Sequence, residues 1–168
     1  MKDLNAIVVG GTGQFGLTIA KLLLQKKYKV IITTRSLIKN KKIIKDYKKI
    51  NFLKLNIYNK FEIEKLIKKF NPKIIFYLAG QSSPKKSFTK KKETLKSNII
   101  GCKNILEILK KEKSKCKFLN ATSSEMFGKV KGKIKLTSLK KPYSPYGQAK
   151  LKSFNITKKF RVDHNLRT

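Results

Sequence analysis

Short apolar runs along this chain alternate with longer stretches in which apolar residues return every three or four positions. Asn5–Val9 is apolar without interruption after its first residue and stops at Gly10, the pattern of a strand buried on both faces. Further strands are expected at 30–34, 52–57, 74–78 and 118–121, each short and rich in β-branched or aromatic residues. Between them lie helical patterns: Leu17, Ala20, Leu23 and Leu24 up to Lys27; Ile43, Ile44 and Tyr47 within 37–49; and Ile63, Leu66 and Ile67 within 61–70. Asn71-Pro72 ends the last of these. A long helix is expected over 94–113, through Ile99, Cys102, Ile105, Leu106 and Leu109, and a final one over 145–162. Segments 79–86 and 129–141 read as loops, Phe88 and Phe127 as core, and His164 as a helix residue without a special role. Strands alternating with helices predict an α/β fold, a parallel sheet with right-handed crossovers.

Composition changes this picture little. A chain of 168 residues holds one domain with a proper core. No run has the length of a membrane-spanning helix, and no leader sequence is evident. Cys102 and Cys116 fit no metal or redox spacing and read as reduced thiols, which points to the cytoplasm. The net charge of +33 raises the question of nucleic acid. Only Arg35, Arg161 and Arg167 among the 42 basic residues are arginine, however, and the lysines are spread along the whole chain. Fork-shaped recognition of bases and phosphates favours arginine. The charge therefore reads as lysine on solvated faces, and neither nucleic acid nor membrane is expected as a partner.

The first strand is followed by Gly10, Gly11, Gly13 and Gly16, and a helix opens there. Strand, glycines and helix in that order let the backbone approach a pyrophosphate at a helix N-terminus, where free N–H groups and the dipole favour an anion. A dinucleotide is the expected ligand. No acid occurs between Val30 and Lys45, and Thr34-Arg35-Ser36 stands at the end of the second strand. A carboxylate there would bind a ribose hydroxyl, whereas Arg35 can pair with a 2′-phosphate, so NADP is expected over NAD.

A second group of polar residues lies in Ala-Thr-Ser-Ser-Glu-Met-Phe-Gly (121–128) and Ser-Pro-Tyr-Gly-Gln-Ala-Lys (144–150). Tyr146 and Lys150 are four apart and share a helical face. An ammonium beside a phenol stabilises the phenolate, which can then take a proton from a hydroxyl. With lysine this abundant, a tyrosine followed four residues later by lysine is expected by chance, so the pair alone carries little. Ser123 and Glu125 carry more, because Glu125 is one of only nine acids. Two apart on an extended strand end, they are expected to point toward one substrate.

The pieces Gly-Gly-Thr-Gly-Gln-Phe-Gly (10–16), Leu-Ala-Gly-Gln-Ser-Ser (78–83), Asn-Ala-Thr-Ser-Ser-Glu-Met-Phe-Gly (120–128) and Ser-Pro-Tyr-Gly-Gln-Ala-Lys (144–150) stand in a telling order and spacing. The chain thereby resembles the extended short-chain dehydrogenase/reductases, and within them the first half of the GDP-mannose 4,6-dehydratases. The resemblance implies a Rossmann-type doubly wound sheet of five strands in the order 3-2-1-4-5. It implies NADP contacts from Gly10, Thr12, Gly13, Gln14, Phe15, Gly16, Arg35, Asn56, Ile57, Leu78, Ala79, Gly80, Ser82, Asn98, Tyr146 and Lys150. It also implies a reaction: Tyr146 deprotonates the hexose 4-hydroxyl, Ser123 hydrogen-bonds that oxygen, and Glu125 removes the C5 proton and helps expel the 6-hydroxyl as water. GDP-mannose is the implied substrate, with a homodimer or higher oligomer formed through the two long helices.

Three departures qualify it. Asn56 stands where relatives carry an aspartate, an arginine before the final serine-proline-tyrosine is missing, and the chain stops at Thr168, where such an enzyme enters a sixth strand and a sugar-binding domain. The expectation is a truncated chain, a single NADP-binding domain over 1–168 without its substrate domain. It would bind NADP(H) weakly, turn over little, and leave its fifth strand as an open edge. A 4-ketoreductase or epimerase of nucleotide sugars and a non-catalytic NADP-binding fragment are the alternatives.

Overall fold

Five parallel strands, β1 (Asn5–Val9), β2 (Lys29–Thr34), β3 (Asn51–Lys54), β4 (Ile74–Tyr77) and β5 (Lys117–Asn120), form one sheet in the order β3-β2-β1-β4-β5. The helices are α1 (Gln14–Gln25), α2 (Lys41–Asp46), α3 (Lys60–Phe70), α4 (Pro84–Thr89), α5 (Lys91–Leu95), α6 (Gly101–Lys111) and α7 (Pro145–His164). The structure is a computed structural model that describes residues 4–130 and 132–168. Residues 1–3 of the expected domain and Lys131 of the loop expected over 129–141 lie outside that description.

The strands are short and apolar because both faces of the sheet are covered. Alternate residues of β1 separate two cores. Ile7 and Val9 join Ile31, Tyr77, Ile63, Leu106, Leu109, Phe118 and Leu166 on one side. Ala6 and Val8 join Ala20, Leu23, Val30, Ile32 and Ile50 on the other. This period-two division fixes the register, because a one-residue slip would exchange the two sets. The helix ends follow capping chemistry. Asn59 Oδ1 accepts from the N–H groups of Phe61 and Glu62 to start α3, and Asn71, at φ 39°, ends it in the left-handed region.

The sheet order expected from the sequence is the one observed; several boundaries differ. The strand expected over 52–57 covers only Asn51–Lys54, since β2, its single partner, offers register positions only from Ile31 to Thr34. Where one helix was expected over 37–49, a 3-10 turn (Ile38–Asn40) precedes the short α2. The loop expected over 79–86 gives way to α4, which Ser83 caps and Pro84 opens. The helix expected over 94–113 begins at Lys91 and passes through a π-helical turn, Lys96–Ile100, before α6. Phe88 is no core residue: it is half exposed, its ring tilted against that of Tyr143 at 5.9 Å between centroids. At β5, the Phe118 N–H donates to the Arg167 carbonyl at 2.8 Å, so the final residues return along the outer edge expected to be open.

Among the described residues, every lysine is exposed except Lys140, which is half-buried, and Lys150, which is buried. No described helix is long and apolar enough to cross a membrane.

Candidate active site

The residues expected to hold cofactor or substrate follow the carboxyl ends of the strands, around the point where the chain order reverses between β1 and β4. In open α/β sheets that crevice is where ligands bind.

The first half of the site is made of backbone. Gly10 has φ +74°, and a Cβ there would lie 2.6 Å from the Ala79 Cα, so only glycine lets the β1 turn pass the β4 loop. At Gly16 a Cβ would collide with the backbone of Gly11, which locks the start of α1 against the turn. Gly13 caps α1 without a side-chain hydrogen bond, and no acid sits in the first turn. The helix therefore presents free N–H groups and the positive end of its dipole beside Gly10 and Thr12.

A pocket of about 270 Å³ opens next to this turn. Gly10, Thr12, Arg35, Ile57, Leu78, Ala79 and Gly80, all anticipated from the sequence, line it. Gly13, Gln14, Phe15 and Gly16 sit just outside, on the start of α1, with Phe15 largely exposed. Asn56 and Ser82 lie outside the lining too. The Asn56 N–H donates to Glu62 and its Oδ1 accepts from the Tyr58 N–H, so Asn56 shapes the loop after β3. Ser36 and Gln81, which the sequence motifs include without a role, line the pocket too, as do Lys39, Asn40, Tyr58, Glu93 and Ser97, which had no signal in the sequence. Glu93 stands nearly sixty residues from Arg35, and only the fold brings them together, at 3.6 Å.

Asn98 acts indirectly. The π-helical turn turns Ser97 and Asn98 toward the β4 loop, where Asn98 Nδ2 donates to the Gln81 carbonyl at 3.0 Å and Ser97 Oγ accepts from the Gln81 N–H at 3.2 Å. Both are buried, and together they hold the strip from Gly80 to Gln81 that rims the pocket.

The second half is made of side chains. The sequence suggests that Ser123 and Glu125 extend from a strand; instead β5 ends at Asn120 and Ser123 caps a 3-10 turn, Ser124–Met126. Ser123 Oγ accepts from the Glu125 N–H at 3.2 Å, a bond that an extended chain could not make. Glu125 then turns toward the start of α7. The Gly147 N–H donates to Ser144 Oγ at 3.0 Å, and Ser144 Oγ donates to Glu125 Oε2 at 3.2 Å. Ser144 thus caps α7 and holds the carboxylate at once.

Tyr146 and Lys150 share the buried face of α7, with the Lys150 Nζ 5.7 Å from the centre of the Tyr146 ring. Lys150 donates to the Ala121 carbonyl at 2.8 Å, two residues before Ser123. Burial pushes the Lys150 ammonium below the ordinary lysine range, only partly opposed by the nearby Cys102 thiol. Ser123, Glu125, Tyr146 and Lys150 are therefore gathered where β5 gives way to its turn and α7 begins. Tyr146 and Lys150 do not line the pocket, which lies on the β2 side of the crevice. Among the described residues no cluster of histidine, cysteine, aspartate and glutamate could hold a metal ion.

A 3-2-1-4-5 parallel sheet with a glycine turn at its switch point and a serine–tyrosine–lysine grouping beside it defines a Rossmann domain of the short-chain dehydrogenase/reductase type. The family model of the GDP-mannose 4,6 dehydratases matches residues 7–168, and the chain belongs to that family. It is 32% identical over 174 residues to the GDP-mannose 4,6 dehydratases of Cricetulus griseus and of Homo sapiens, covering 96% of this chain and 47% of each relative. The chain thus spans about half the length of the relatives it matches. Among solved structures, the UDP-glucose 4-epimerase of Thermotoga maritima, with UDP-glucose, superposes with a TM-score of 0.85 at 27% identity, over 97% of this chain and 53% of that one. The dTDP-glucose 4,6-dehydratase of Bacillus anthracis, in complex with NAD, gives 0.81 at 26% identity, over 98% and 52%.

Proposed function

We propose that this chain is the dinucleotide-binding part of an NADP-dependent dehydratase that converts GDP-mannose to its 4-keto-6-deoxy form. The observation that carries this reading is the Gly147–Ser144–Glu125 relay, which fixes a carboxylate at the start of α7, the helix that carries Tyr146 and Lys150. A reductase or epimerase needs the tyrosine; a dehydratase also needs an acid–base group for C5 and O6, and the carboxylate held by Ser144 supports Glu125 as that group.

The residues present fit a nicotinamide dinucleotide. A Cβ at Gly13 would meet nothing within 4 Å, so the turn leaves open space there, and the uncapped start of α1 suits a pyrophosphate. Arg35 on the pocket rim and the absence of an acid between Val30 and Lys45 favour NADP. When bound, the cofactor supplies a reversible hydride acceptor. Tyr146 takes the proton of the sugar 4-hydroxyl, with Ser123 donating a hydrogen bond to that oxygen. Lys150, tied to the Ala121 carbonyl, keeps a positive charge close to the phenol and to the cofactor ribose. Glu125 removes the acidified C5 proton and returns it to the leaving 6-hydroxyl, while Ser144 keeps its carboxylate aimed.

The test is incubation with GDP-mannose and catalytic NADP+, followed by mass spectrometry over hours, because the chain covers only about half of its relatives' length. The expected product has lost one water without net consumption of NADPH, and Glu125→Gln abolishes it while Tyr146 and Lys150 remain intact. The likeness to a 4-epimerase supports a second reading. A product of unchanged mass would replace dehydration with epimerisation, and no product at all would reduce the chain to a nucleotide-binding fragment.

A further inference from the structure

One end of the pocket gathers polar groups from three places in the chain. Arg35, Ser36 and Lys39 follow β2, Tyr58 follows β3, and Glu93 comes from α5. The Arg35 guanidinium is 3.6 Å from Glu93 Oε1, and Lys90 Nζ is 3.9 Å from Glu93 Oε2. Lys96 Nζ lies 4.6 Å over the Tyr58 ring, adding a further cation behind this wall. Glu93 is thus an acid set into a rim that is otherwise cationic.

The Arg35–Glu93 pair is open to water, its side chains 83% and 43% exposed. A pair in that setting holds weakly and exchanges readily for a stronger partner. A phosphate monoester is such a partner, because it offers more charge and several acceptor oxygens to the guanidinium fork. The Glu93 backbone carbonyl accepts from Ser97 Oγ at 2.8 Å whatever the side chain is. Among the described residues the carboxylate's ion pairs are the exposed ones to Lys90 and to Arg35, the group that favours a 2′-phosphate.

We propose that Glu93 is a specificity-determining residue for the dinucleotide. It occupies Arg35 and repels a 2′-phosphate, and so narrows the preference for NADP over NAD that Arg35 sets. The inference rests on the reading of the pocket as an NADP site with Arg35 at the ribose phosphate. A carboxylate at the end of β2 would achieve discrimination directly; here the acid comes from another element and acts through the arginine.

The experiment measures calorimetric dissociation constants of 2′,5′-ADP and 3′,5′-ADP on the wild-type chain, Glu93→Gln and Arg35→Gln, at fixed ionic strength. The two isomers carry equal charge, so the general attraction of a +33 chain for phosphate cancels in their ratio. Circular dichroism melts check that each variant is folded. Glu93→Gln is expected to raise the 2′-over-3′ preference about three- to tenfold, the scale of one like-charge repulsion in water, and Arg35→Gln to lower it. If Arg35→Gln lowers the ratio while Glu93→Gln leaves it unchanged, the role of Glu93 is overturned and the NADP reading stands. If Arg35→Gln leaves the ratio unchanged, the NADP reading itself fails and takes the inference with it.

Discussion

The turn between β1 and α1 and the turn between β5 and α7 sit at the same end of the sheet but are built of opposite materials. The first is backbone: glycines at a positive φ or at closest approach, a helix start without a side-chain cap, and almost no side-chain hydrogen bonds. The second is side chains: a serine cap, a serine–glutamate bond and a buried lysine on a carbonyl. A site made of backbone is inseparable from the fold, so damage to it destabilises the protein. A site made of buried polar side chains is partly at odds with the fold, so damage to it costs chemistry more than stability.

The largest contrast comes from Gly10→Ala. The new Cβ meets the Ala79 backbone and the residue is held at positive φ, at a cost of about 3 kcal/mol. Denaturant unfolding should show that loss together with dinucleotide affinity at least tenfold weaker. A variant as stable as wild type would break the comparison on its first side.

Lys150→Met tests the other side. Removing the buried ammonium loses one hydrogen bond and relieves one desolvated charge, so stability should stay within about 1.5 kcal/mol of wild type. Dinucleotide affinity is expected to fall about tenfold. The pH dependence has a definite sign. The folded ammonium titrates below the ordinary lysine value of 10.5, so in that window the unfolded chain binds more protons. Wild type should therefore gain stability relative to Lys150→Met as pH rises toward 10.5. The opposite trend in paired unfolding curves would show that burial does not penalise this charge.

Ser144→Ala lies between the extremes, since its hydroxyl serves both fold and site. Loss of the α7 cap should cost about 1 kcal/mol, and Glu125 loses its hydrogen bond to the start of the helix. Thermal unfolding would detect the first effect, and a fall in water-loss product larger than the stability change explains would detect the second.

Glu64 supplies a reference away from both turns. Its bonds to Lys111 and Lys68 lower the carboxyl to about 2. Because the folded value is depressed, its contribution is present above the ordinary glutamate range and is lost as pH falls toward about 2. Glu64→Gln should flatten that part of the acid unfolding limb and leave nucleotide binding unchanged, the smallest effect of the set.

The two turns also differed in how far the sequence revealed them. Gly10 and Gly16 were legible because steric exclusion permits one residue type, and that constraint shows directly in the chain. The sheet order followed from the alternation of apolar runs with helical periodicity, which every strand had to satisfy to be buried. Glu125 was legible as a rare acid, but its orientation was misjudged. The Ser123 hydroxyl winds the backbone into a turn where alternation predicts extension. Ser144 was seen only as part of the Ser-Pro-Tyr motif and given no role, because a capping serine looks like any other. The Arg35–Glu93 contact had no local trace, since it joins the end of β2 to a helix two crossovers later. Phe88 was misplaced because its rank as an apolar residue said nothing of α4, which turns it outward.

The central claim, that the turn after β1 and the turn before α7 face one bound dinucleotide, is tested most directly by hydrogen exchange with and without saturating NADPH. Slowed exchange confined to residues 10–17, 33–40, 78–82 and 121–126 is the predicted result. Protection spread evenly over the lysine-rich surface, or none at 10–17, would contradict it.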